Sequence, residues 1–200
     1  GCSGLTSITI PNSVTNIGAN AFSNNQISSL VLPESVTQIS DYAFQYNQIT
    51  NLLLPNSLTK IGSQAFYSNQ ISNLTIPKTV TSLGSSAFSS NPVTTLSIGK
   101  CTTDICSNHS FGTTVKDLTI ESGEIGSSAF SSGQIVNLSL GNEVSSIESS
   151  AFSSNQISGE LVIPSSVTLI GDSAFYGNQI SNLTIPKTVT SLGSSAFSSN

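Results

Sequence analysis

Short bursts of alternating apolar and polar residues recur along the chain, as in Ile8-Thr9-Ile10 and Leu30-Val31-Leu32. A period of two predicts strands with one face buried. Proline closes the burst at Pro11, Pro33, Pro55, Pro77, Pro164 and Pro186, where it removes a backbone donor and ends the strand. A second, shorter apolar pair follows: Val14 and Ile17, Val36 and Ile39, Leu58 and Ile61, Val80 and Leu83, Val167 and Ile170. Glycine often comes next, at Gly18, Gly62, Gly84, Gly171 and Gly193, and a turn with positive φ is expected there. The Ala-Phe pair after it predicts a short helical or tightly turned segment.

All nine phenylalanines fall at one place in this pattern: Phe22, Phe44, Phe66, Phe88, Phe111, Phe130, Phe152, Phe175 and Phe197. Their spacings of 22, 22, 22, 23, 19, 22, 23 and 22 residues define about nine repeats of about 22 residues. A residue type confined to one repeat position answers one recurrent environment, and an inward-facing pocket is the natural one. Three residues later stands an asparagine, at positions 25, 47, 69, 91, 155, 178 and 200. Its fixed phase favours an inward ladder, whose amides satisfy loop backbone groups and bridge to the next rung, over surface decoration. One repeat cannot cover its own Phe, Ile and Leu, so neighbours must stack on both sides.

Leu74 to Phe88, reading LTIPKTVTSLGSSAF, resembles the BspA-like, or Treponema pallidum-type, leucine-rich repeat, whose motif is roughly LxxIxIPxxVTxIGxxAFxxN. The resemblance runs over nearly the whole chain, and Gln70–Asn91 recurs unchanged as Gln179–Asn200. It implies an α/β-type repeat solenoid, a right-handed superhelix with a parallel sheet on its concave face and short strands or 3₁₀ turns on the convex face. One domain spanning residues 1–200 is expected, irregular around 99–124. The resemblance also implies an extracellular or cell-surface protein whose role is adhesion, with a host or matrix protein or a glycan as partner. The motif consists of core positions, so no binding residue comes with it.

Composition narrows the function. Of the 200 residues 36% are apolar, 8% are charged, and the net charge is −5; abundant branched aliphatics argue against disorder. Ser, Thr, Asn and Gln supply the polarity, which suits a surface of neutral hydrogen-bonding groups. Five lysines and no arginine lack the clustered basic footprint that nucleic acid requires. No apolar run approaches a transmembrane span. Gly1-Cys2-Ser3-Gly4 does not begin a signal peptide; it suits either the remnant of a lipoprotein cleavage site, hence a lipid anchor on the full-length protein, or a simple boundary. The abrupt start and stop within the repeat suit a mature protein or a fragment of a longer one.

The regularity breaks over Gly99–Glu124. Gly99 takes the proline position, the interval before Phe130 shortens to 19 residues, and Thr114 and Gly133 replace asparagine. Cys101, Cys106 and His109 all fall here. A Cys101–Cys106 disulfide pinning an irregular turn leads two alternatives, a pair of free thiols and a zinc site formed with His109 and Asp104. A Ser110-His109-Asp104 catalytic set is the weakest reading, because sequence neighbours seldom reach triad geometry. Seven of the ten carboxylates cluster nearby, at Asp104, Asp117, Glu121, Glu124, Glu143, Glu148 and Glu160. Glu121 and Glu143 on adjacent rungs would suit calcium, although a solvated acidic face is commoner. No enzyme activity, metal or cofactor is expected.

If the strands line a binding surface, Val31, Asn51, Leu53, Asn73, Thr75, Thr95, Asp117 and Asn137 point outward on it, with Ser29, Ser97, Thr119 and Ser139. Val31 and Leu53 are apolar where solvent is expected and mark a contact patch. Tyr42, Tyr46, Tyr67 and Tyr176 fall on turns beside the phenylalanines, as interface aromatics or as packing along the edge. A recognition or adhesion module therefore leads. A passive stalk comes second, and an ice- or carbohydrate-binding solenoid third, motivated by Thr15, Thr37, Thr59 and Thr81 recurring once per rung.

Overall fold

The computed structural model describes residues 4–106, 111–112 and 114–200; Cys2, His109 and Ser110 lie outside them. The chain divides into two compact units, Gly1–Leu96 with Asn108–Gly112, and Ser97–Ser107 with Thr113–Asn200. In each, the backbone coils as a parallel-strand β-solenoid.

In the first unit a coil typically contributes two strands. The short apolar pairs give β1 (Asn16–Ile17), β3 (Gln38–Ile39), β5 (Lys60–Ile61) and β7 (Ser82–Leu83). These pair in parallel in that order, with Ile17, Ile39, Ile61 and Leu83 in register. The longer bursts give β2 (Ser29–Val31), β4 (Asn51–Leu53), β6 (Asn73–Ile76) and β8 (Thr95–Ile98); the unit boundary falls within β8. The burst at Ile8–Ile10 forms no such strand, and only Ser7 bridges to Ser29.

Between each short strand and the next burst, the Ala-Phe segment is a turn, which corrects the α/β expectation. Among the described residues the only helix is α1 (Thr103–Cys106). Each turn whose flanking residues are described places those two before and two after its phenylalanine in the left-handed region, as at Asn20 and Asn24, φ 57° and 56°, and that breaks any helical run. The amide protons go to the next coil instead: Asn20, Phe22 and Asn24 donate to the carbonyls of Asp41, Ala43 and Gln45 at 3.1, 2.8 and 2.9 Å. The glycine expectation needs the same correction. Gly62 is not among the positive-φ residues; a Cβ there would overlap the backbone nitrogen of Asp41, so close approach of the preceding coil dictates glycine.

Two coils of the second unit show what proline does by lacking it. Where Glu121 and Gly141 hold its place, the two strands of a coil run together as β9 (Asp117–Ile125) and β10 (Asn137–Ile147), nine and eleven residues long. They pair in parallel with irregularities at Leu140/Glu143 and Val144/Ser146. β12 (Leu169–Ile170) pairs with β10 and with β14 (Ser191–Leu192), while β11 (Ser158–Val162) pairs with β13 (Gln179–Thr184).

The core is the phenylalanine column with its flanking aliphatics. Phe44, Phe66, Phe88, Phe152 and Phe175 are fully buried. Successive rings stack nearly parallel, with centroids 5.3, 5.3, 5.2 and 6.1 Å apart from Phe22 to Phe111 and 5.7, 5.2 and 5.1 Å from Phe130 to Phe197. The asparagines form the inward ladder. Asn69 Oδ1 accepts from the Ile49 amide at 3.0 Å, and its Nδ2 donates to the carbonyls of Phe44 and Phe66 at 3.0 and 3.1 Å. The repeated stretch meets two environments: Leu74, Ile76 and Leu83 are buried, whereas their counterparts Leu183, Ile185 and Leu192 are exposed.

Candidate functional site

The longer bursts project alternate side chains outward, as their period requires. In the first unit Val31 and Leu53 are 74% and 80% exposed and lie directly opposite each other in the β2–β4 register. Asn51, Asn73, Thr75 and Thr95 are exposed beside or beyond them. A groove of about 680 Å³ runs across Ser29, Val31, Asn51, Leu53, Asn73 and Thr75, with Asn56 and Pro77 at its side. Its side chains are all uncharged. A smaller groove of about 290 Å³ continues from Val31 to Thr9, Ile10 and Asn12.

In the second unit Asp117 and Asn137 face one another across β9 and β10, the Asn137 amide donating to Asp117 Oδ1 at 2.6 Å. Val162 is an aliphatic outward residue absent from the candidate positions above; it is 55% exposed and lines a groove of about 200 Å³ with Ser139, Asn142 and Glu160. Its position two residues before Pro164 is the position of Val31 before Pro33 and Leu53 before Pro55, so the signal was available in the proline phase.

Within the break, Cys101 and Cys106 are joined by a disulfide, with Cα atoms 5.5 Å apart. Cys101 is also anchored through its backbone, the amide donating to the Ser122 carbonyl at 2.8 Å. The candidate zinc and triad sets both require His109, outside the described residues; among the described residues no three metal-ligating side chains gather. Glu143 stands opposite Ser122 in the strand register, and Glu121 and Glu143 are both exposed. The threonine column is engaged internally: the hydroxyls of Thr37, Thr59 and Thr81 donate to the carbonyls of Thr15, Thr37 and Thr59 at 3.3, 3.0 and 3.4 Å. Among the described residues no helix is long and apolar enough to cross a membrane.

The structure is similar to that of a leucine-rich repeat protein from Bacteroides ovatus, at 24% identity and a TM-score of 0.69, covering 96% of this chain and 51% of that one. It matches a leucine rich cell surface protein from Faecalibacterium prausnitzii at 22% identity and a TM-score of 0.42, covering 95% and 56% of the two chains. A leucine-rich repeat protein from Eubacterium ventriosum matches at 16% identity and 0.46, covering 98% and 76%. The chain thus spans about half the length of the first two proteins. No curated protein sequence matches it. The model of the BspA type leucine rich repeat region does, in six copies over residues 1–115 and 81–200. Together with the proline-closed strands, the phenylalanine spine and the asparagine ladder, that match across the whole chain settles its kinship: the protein belongs to the BspA-type leucine-rich repeat family.

Proposed function

We propose that the chain is a non-enzymatic recognition module of a surface protein, binding a protein or glycan ligand through its outward strand residues. The observation that carries this reading is the Val31–Leu53 pair, two aliphatic side chains held side by side in water on a face otherwise made of small polar groups. Leaving a Val or Leu exposed forgoes about 1.5–3 kcal/mol of burial, which a ligand with an apolar segment recovers. Asn51, Asn73 and Thr75 offer neutral hydrogen bonds around the pair, Thr95 offers another beyond them, and Asp117 and Asn137 supply a more acidic stretch in the second unit. Family membership supports the surface setting, and so does the Cys101–Cys106 bridge, a bond that persists in oxidising compartments.

Screening the protein on an array of extracellular-matrix proteins and glycans tests the proposal. A ligand of the strand face loses affinity at least about tenfold, or about 1.4 kcal/mol, with Leu53→Ser, whose melting temperature stays that of the parent. Full affinity in a Val31→Ser, Leu53→Ser double variant moves the site elsewhere. No ligand for the complete surface protein leaves the chain as a passive stalk.

A further inference from the structure

The turn segments carry a feature that the strand face does not explain. Their two left-handed positions are filled by Asn20 and Asn24, Gln64 and Ser68, Ser86 and Ser90 in successive coils of the first unit, residues that are small or suited to local polar contacts. One coil instead places Tyr42 and Tyr46 there, at φ 61° and 55°. A bulky side chain on left-handed backbone is disfavoured, so the backbone gives no reason for tyrosine, and an unusual position of this kind points toward function.

Tyr46 is 48% exposed. Its ring meets that of Tyr67 on the next coil edge to face, centroids 5.7 Å apart at 85°. The backbone fixes the pair, the Tyr46 amide donating to the Tyr67 carbonyl at 3.0 Å. On the same two turns the Gln45 amide donates to Gln64 Oε1 at 2.8 Å, and Asp41 Oδ1 accepts from the Ser63 amide at 2.8 Å.

We propose that the Tyr46–Tyr67 pair is a binding platform for a neutral saccharide, distinct from the strand face. A sugar ring offers one face of C–H bonds to an aromatic ring, and its hydroxyls both donate and accept at the rim. Amide and hydroxyl side chains answer those hydroxyls in both senses without charge. Gln45, Gln64 and Ser68 stand on the same turns as the two rings and carry such groups, and the carboxylate of Asp41 is already engaged by backbone. A protein hot spot would want an apolar collar that keeps water from the rings; Asn24 and Ser68, beside Tyr46 in the same turn position, provide none.

The chain has four tyrosines and no tryptophan, so fluorotyrosine NMR gives four resonances, assigned by single Tyr→Phe variants. The probes are linear hexasaccharides of β-1,4-glucose, α-1,4-glucose and β-1,4-mannose at millimolar concentration. The Tyr46 and Tyr67 resonances shift with at least one probe, while Tyr176 stays fixed. Tyr67→Ala and Tyr46→Asn each weaken that probe at least tenfold. In Tyr46→Asn, relief of the left-handed strain offsets the lost ring contact, and the melting temperature stays within about 2 °C of the parent. Silence of both resonances with all three probes overturns the proposal, as does undiminished binding by folded Tyr46→Asn. Because the strand-face variants leave these tyrosines untouched, the two sites stand or fall separately.

Discussion

At the scale of single residues, the phenylalanine and asparagine columns divide the work. Phe66 lies between Phe44 and Phe88, its ring tilted 10° and 2° from theirs. Isolated aromatic pairs prefer offset or edge-to-face contact; here one ring per coil in one rotational setting leaves stacking as the way to fill the space. Phe66→Ala removes a fully buried ring from the middle of the column and should cost about 3–5 kcal/mol in urea denaturation, whereas half-buried Phe197→Ala costs visibly less. Both columns were legible in the sequence because each residue type recurs at one phase. The amide partners were not. Asn69 reaches 20 residues back to the Ile49 amide and 25 back to the Phe44 carbonyl, and those atoms come together only once the coils are in register.

At the scale of elements, proline and glycine set where strands stop and how closely coils approach. The proline phase predicts the short strands of the first unit, and its absence at Glu121 and Gly141, as well as at Gly99, is legible in the sequence, but not that two strands of a coil would there run together as β9 and β10. Glycine was legible as a residue the turn requires, but the reason was misassigned: sequence shows that a Cβ is missing, not whether torsion or a neighbouring backbone forbids it. Gly18 and Gly62 separate the two causes. They share a repeat position, yet a Cβ at Gly18 meets nothing within 4 Å, while at Gly62 it overlaps backbone of the preceding coil. Gly62→Ala should therefore lose about 1–3 kcal/mol, and Gly18→Ala should fall within about 0.5 kcal/mol of the parent, both read as shifts in urea midpoint. Equal losses would mean that torsion, not proximity, fixes the column.

At the scale of the whole molecule, the architecture was readable because repetition multiplies a weak local signal, and the partner was not, because that signal describes the core. Val31 and Leu53 emerged from the period-two pattern as residues on the wrong face for their chemistry. Tyr46 and Tyr67 emerged only as turn aromatics, since neither the left-handed backbone nor their pairing is written locally. The duplicated stretch has a further consequence. Intrinsic amide exchange rates follow local sequence, so Gln70–Asn91 and Gln179–Asn200 share them, and their hydrogen bonds repeat as well: the amides of Ile71 and Ile180 both donate to the asparagine closing their coil, at 3.0 and 3.1 Å. The protein thus contains its own reference compound. Resolved by NMR, the Ile71 amide should exchange at least about tenfold more slowly than that of Ile180, and the logarithm of that ratio reports the free energy one coil receives from the neighbour packed upon it.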